Sequence, residues 1–188
     1  YKRSIQAEFS GMDEHMVMKA QNYNVAEAGI AERYYTTGGS ASVTLKATKT
    51  FPHAAHWTNS TFYFRPLGHS TVKGKTDANP WLSWTFNESG SLQKTEIPGR
   101  AAMAKFTVNG PAILFGAALE GNDGITIDNF SMRGSTGTTL ANIPDNTLRE
   151  FNAIRPYDLI ILQFGVNAVK DNSTTKDMRD YLAQMRNV

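Results

Sequence analysis

The sequence predicts a β-sandwich, antiparallel and jelly-roll-like, over residues 1–120, followed by part of an α/β domain over residues 121–188. Two observations carry this. Up to Glu120 the chain reads as short alternating segments separated by turn clusters, and near Gly121 the pattern changes to strand, helix, strand, helix. A chain of 188 residues with 40% apolar side chains is long enough for one good core and a partial second one.

In the first part, Gly38-Gly39-Ser40, Gly68-His69-Ser70, Asp77-Ala78-Asn79-Pro80, Asn87-Glu88-Ser89-Gly90 and Val108-Asn109-Gly110-Pro111 are the turns. Between them the side chains alternate with the period of a strand. Val43 and Leu45 share one face within Ala41 to Ala47, and Phe62 and Phe64 share one face opposite Tyr63. Trp81 to Phe86 and Ala102 to Val108 read the same way. Strands at such regular spacing favour a sandwich or jelly roll, and no helix of convincing length is expected here.

In the second part, Gly124 to Phe130 reads as a strand and Gly134-Ser135-Thr136-Gly137 as a turn. A short helix then begins in Thr138 to Ile143, and Asn146 to Ile154 carries Leu148, Phe151 and Ile154 at helical spacing. Tyr157 to Phe164 is a nearly continuous apolar run, which predicts a central parallel strand covered on both faces. Thr174 to Val188 predicts an amphipathic helix with a Thr174/Asp177 capping box and a stripe of Met178, Tyr181, Leu182 and Met185. Two strands joined by a right-handed crossover would be parallel neighbours, with the Gly134–Gly137 and Gly165–Asn167 turns side by side at their carboxyl ends. Two such strands do not make a stable doubly wound sheet alone, so the chain is expected to be part of something larger.

Composition excludes several classes. The 19 basic and 17 acidic residues leave a net charge of +2 and are spread along the chain, with no basic stripe, so nucleic acid is not an expected partner. The absence of cysteine excludes disulfides, thiolate metal sites and cysteine nucleophiles. No apolar run approaches the roughly 20 residues of a membrane span, and Tyr1-Lys2-Arg3-Ser4 leads into polar sequence rather than a signal-peptide core.

Acyl transfer needs hydrogen-bond donors aimed at the oxygen that becomes negative. A backbone N–H on a glycine turn and a carboxamide both serve, and Gly137 and Asn167 supply them. Here the residues resemble a known family. Asn129-Phe130-Ser131-Met132-Arg133-Gly134-Ser135-Thr136-Gly137 resembles the second block of SGNH (GDSL-like) hydrolases, and Asp158 to Asn167 resembles the third. Motif similarity covers Gly124 to Val169, and the order of sandwich, Gly block and Gly-x-Asn block is similar to two-domain members with an inserted carbohydrate-binding-module-like jelly roll, among them peptidoglycan O-acetylesterases.

The resemblance implies a flavodoxin-like SGNH domain, a serine esterase that deacetylates a polysaccharide or glycan without a cofactor, and a periplasmic or extracellular bacterial location. It also implies that Gly137 and Asn167 form the oxyanion hole. The sequence contains no Gly-Asp-Ser and no Asp-x-x-His, and the last histidine is His69, so this stretch alone is expected to be inert. The family's third block usually carries Asp or Glu after its Asn, whereas Ala168 stands here.

For substrate, Trp57 and Trp81 are sugar-stacking candidates on the sandwich, and Arg133 beside the glycine turn could take a carboxylate. Trp81 and Trp84 are three apart and cannot share a strand face, so one of them belongs to the core. His53 and His56 have metal-ligand spacing without further ligands, and no metal is expected. The alternative function is a non-catalytic carbohydrate-binding module. Exposed strand edges suggest self-association or pairing with the remainder of the hydrolase domain.

Overall fold

A computed structural model describes residues 2–5, 16–21, 24–27, 33–37, 39–47, 55–88, 90–122, 126–129, 136–168 and 172–188. Twelve strands run in chain order: β1 (Lys2–Ile5), β2 (Met16–Gln21), β3 (Asn24–Glu27), β4 (Arg33–Thr37), β5 (Ser40–Ala47), β6 (Trp57–Pro66), β7 (Ser70–Thr76), β8 (Leu82–Phe86), β9 (Gln93–Ala101), β10 (Met103–Asn109), β11 (Ala112–Glu120) and β12 (Thr126–Asn129). A 3-10 helix (Thr138–Asn142) and two α-helices, α1 (Asp145–Ile154) and α2 (Thr175–Met185), follow. The chain divides into two compact units, Tyr1–Ala26 with Tyr34–Phe130, and Glu27–Arg33 with Ser131–Val188.

The first unit is built on two sheets. One has five strands in the order β2-β5-β10-β7-β8, all antiparallel. The other has seven, centred on β11. One edge of β11 pairs with β6, which continues to β9, while β4 and β1 line the other edge end to end. The predicted alternation appears in β5, where Ala41, Val43 and Leu45 are buried, and in β10, where Ala104, Phe106 and Val108 are. In β6 the prediction is too simple: Phe62 and Phe64 enter the core, but Tyr63 on the opposite face is buried as well.

Phe62 of β6 and Phe106 of β10 stack across the two sheets at 5.0 Å between ring centroids. Phe64 stacks on Phe62 at 6.0 Å and meets the edge of Phe86 at 5.1 Å. Space for these rings comes from Gly74 on β7, directly opposite Phe106 in register. A Cβ there would lie 2.7 Å from Ile97 and 3.0 Å from the Phe106 ring, so glycine is required by close packing.

Three expectations for the second part need correction. The strand within Gly124 to Phe130 exists as β12, but it pairs in parallel with β1 inside the first unit's sheet. Tyr157 to Phe164, expected as a central parallel strand, forms no strand and makes no ladder with any described strand. Nor is that run covered on both faces: Leu159 and Ile161 are 74% and 77% exposed. Continuous apolarity signals a need for cover, and among the described residues no strand supplies it. The helices stand where predicted, yet α2 has no buried residue, and Met178 and Leu182 of its apolar stripe are exposed.

The ring stack makes a direct prediction. Phe106→Ala should lower stability by about 3–5 kcal/mol, the cost of deleting a buried aromatic ring and leaving a cavity. Urea unfolding followed by tryptophan fluorescence measures it.

Candidate functional site

In the second unit the local sequence places a glycine turn against an aromatic ring. Gly137 precedes the 3-10 helix with φ 87° and ψ −19°, a left-handed conformation that glycine adopts without strain. It is buried, and a Cβ at this position would overlap the Phe164 ring. Gly137 and Phe164 are therefore in van der Waals contact. Phe164 leads into a tight turn in which Ala168 donates its N–H to the Gly165 carbonyl at 2.9 Å. Asn167 lies on that turn, exposed, three residues beyond the ring that covers Gly137.

The peptide joining Thr136 to Gly137 is held from α2. Tyr181 donates its hydroxyl to the Thr136 carbonyl at 2.9 Å. In a trans peptide the N–H points opposite the C=O, so this bond sets the direction of the Gly137 N–H. Tyr181 reads in the sequence only as a member of an apolar stripe; its signal is that a half-buried phenol seeks a partner for its hydroxyl. The predicted capping box that starts α2 is present, with the Thr174 hydroxyl accepting from the Asp177 amide at 3.2 Å and the Asp177 carboxylate accepting from the Thr174 amide at 2.8 Å. Hydrogen bonds from the Thr174 amide, then from its hydroxyl, hold the Asp177 carboxyl below its ordinary 3.8. Elsewhere in the unit, Phe151 of α1 is buried and stacks on Tyr157 at 6.4 Å.

The proposed ligand residues fall in different environments. Trp57 is 5% exposed in the sandwich core and donates its Nε1–H to Ser60 at 2.7 Å, so its ring offers no face to a sugar. Trp84 packs against the same core. Trp81 is 46% exposed, with the Lys75 ammonium 5.1 Å from its ring centroid. The three-residue spacing thus separates one core tryptophan from one surface tryptophan. Arg133, Ser135 and His53 lie outside the described residues. His56 accepts a hydrogen bond from Arg100 at 3.0 Å, and no group of three His, Cys, Asp or Glu among the described residues could hold a metal. No helix among them is long and apolar enough to cross a membrane.

No family model and no curated protein matches the sequence. Solved structures do match. A peptidoglycan O-acetylesterase, 18% identical, superposes with a TM-score of 0.63 over 96% of this chain and 52% of its own. The fold is similar to that of this esterase. The chain spans about half the esterase's length. More distant matches include a carbohydrate-binding module in complex with β-1,4-galactotriose (14% identity, TM-score 0.35, 56% of this chain and 87% of that one). Another is a family two carbohydrate esterase from Cellvibrio japonicus (12% identity, TM-score 0.34, 57% and 34%).

Two predictions follow from this geometry. Gly137→Ala places a methyl into the Phe164 ring and an L side chain in the left-handed region. The expected loss is about 1–2 kcal/mol from the backbone conformation and about 1–3 kcal/mol from overpacking, read by chemical denaturation followed through Tyr181 fluorescence or amide exchange of α1 and α2. Because the Asp177 carboxyl is lowered in the fold, its contribution to α2 is complete above pH 3.8 and is lost as the pH falls through the lowered native value. Amide exchange at the first turn of α2 should accelerate there, and in Asp177→Asn it should be fast at neutral pH as well.

Proposed function

We propose that this chain is part of a serine esterase of the SGNH type that removes acyl groups, chiefly acetyl, from a glycan. In this reading the Gly137 amide and the Asn167 carboxamide form the oxyanion hole, and residues 121–188 belong to the hydrolase domain. Residues 1–120 form the carbohydrate-binding-module-like sandwich. The observation that carries the reading is the packing of Gly137 on Phe164, which joins the two blocks that the family resemblance singles out. The fold-level likeness to a peptidoglycan O-acetylesterase supports it.

Chemically, a serine hydroxyl would add to the ester carbonyl while a histidine takes its proton and an aspartate orients the histidine. The carbonyl oxygen would gain the negative charge and be met by the two donors. Tyr181 holds the Thr136–Gly137 peptide plane, so one donor is preorganised before substrate arrives. Collapse of the tetrahedral intermediate would expel the sugar hydroxyl with the proton held on histidine. Water would then release acetate by the same steps in reverse order. Serine, aspartate and histidine of that triad are not in the motifs of this sequence, so turnover is a property of the longer protein. Its glycan substrate suggests a periplasmic or extracellular setting.

A second reading, a non-catalytic carbohydrate-binding module, is favoured by one observation: the exposed Trp81 on the sandwich. The experiment is to assay the longer protein with p-nitrophenyl acetate and with an O-acetylated glycan. Asn167→Ala should lower kcat by roughly 10²–10³ with little change in KM. An unchanged kcat would remove Asn167 from the oxyanion hole. Absence of turnover by the unaltered protein, with glycan binding retained, would leave the second reading.

A further inference from the structure

The five-stranded sheet has one face in the core, occupied by Val43, Leu45, Val72, Phe106 and Val108 among others, and one face outward. None of its five strands contains an aspartate or glutamate, and together they carry five lysines. Register collects these lysines into rows. Lys19 stands opposite Thr44, Thr44 opposite Lys105, and Lys105 opposite Lys75. Trp81 closes that row, since Leu82 pairs with Gly74 and the Lys75 ammonium lies over the Trp81 ring. The next row reads Ser42, Thr107, Lys73 and Ser83. On the other side, Lys46 stands opposite Met103.

Like charges directly opposite one another on neighbouring strands are destabilising, and Lys75 and Lys105 are such a pair. The carboxylate nearest in sequence to the face is Asp77 at the end of β7. It accepts hydrogen bonds from the amides of Ala102 and Met103 at 3.0–3.2 Å. None of Lys46, Lys73, Lys75 or Lys105 makes a salt bridge among the described residues. The outward face therefore carries Lys75 opposite Lys105, at the separation of about 5 Å that directly paired residues have, and Lys73 about 7 Å along β7 from Lys75, with Lys46 nearby on β5. Hydroxyls lie between the ammonium groups, and a tryptophan closes one end.

We infer that the outward face of the β2-β5-β10-β7-β8 sheet binds an acidic polysaccharide, the lysines pairing with carboxylates along the polymer and Trp81 stacking on a sugar ring. A neutral glycan would gain nothing from ammonium groups without carboxylate partners, whereas an extended polymer with a carboxylate on each repeat meets several at once. Serine and threonine between the lysines suit sugar hydroxyls, and an aromatic ring at the row's end suits the apolar face of a pyranose. A nucleic acid would use the same charges, but the array has a single aromatic platform on which bases could stack. The inference builds on the carbohydrate reading and not on the oxyanion pair, so the two fail separately.

The test uses the full 188-residue chain and three polymers in calorimetry: polygalacturonate, the same polymer with its carboxyls methyl-esterified, and single-stranded DNA. Polygalacturonate should bind, with an affinity that falls as salt is raised. The esterified polymer and the DNA should bind more weakly. Lys75→Gln with Lys105→Gln should weaken polygalacturonate binding about tenfold, as expected for the loss of two surface charge contacts. The same pair should unfold at a higher urea concentration than the parent, because a like-charge pair has been removed. Trp81→Ala should weaken binding while leaving its salt dependence in place. Equal affinity for the esterified polymer, no binding of either polymer, or tighter binding of DNA would each overturn the inference. Equal affinity for the esterified polymer would leave the carbohydrate reading intact.

Discussion

The contact between Phe62 and Phe106 sets the separation of the two sheets, and much of the sandwich follows from it. Two stacked rings at the centre need a smooth floor, and Gly74 supplies one on β7 directly beneath Phe106. With the inner positions of β5, β7 and β10 committed to that core, strand alternation leaves their remaining positions on the outward face. The lysine rows are in this sense the other half of the core pattern. Trp57 and Trp84 join the core, while Trp81, just before β8 begins, escapes it.

The second unit depends on a comparable contact. Gly137 has no side chain, and the Phe164 ring occupies the space where one would be. From the other side Tyr181 bonds the preceding carbonyl. A backbone amide held at both ends of its peptide has a defined direction, which is the property an oxyanion donor requires. The capping box at Thr174 and Asp177 contributes by starting α2, the helix that carries Tyr181.

Apolar side chains outside the core have a different meaning in each unit. On the sandwich, Leu82 and Trp81 sit at the rim of a polar face, where single apolar groups are ordinary. In the second unit, Leu159 to Leu162 form a continuous exposed apolar run, and Val166 just beyond it is 93% exposed. The run forms no strand and pairs with none of the described strands. The similar esterase is about twice as long as this chain.

Much was legible in the sequence where the governing physics is local. Alternation along β5 and β10, the turns at Gly68 and Gly110, the span of α1 and the capping box of α2 each involve residues within a few positions of one another. The family resemblance singled out Gly137 and Asn167 as candidates, and their joint role stays a proposal. The sequence did not reveal which tryptophan is core, where β12 pairs, or that the apolar run of 157–164 lies uncovered. It also suggested dispersed charge, since Lys46, the Lys73/Lys75 pair and Lys105 are far apart along the chain. Antiparallel register alone brings them onto one face, and register is settled by which hydrophobic faces meet across the sandwich. By itself, then, the sequence determined the local elements and their order; tertiary structure decided partners and faces, because both arise from contacts between segments far apart in the chain.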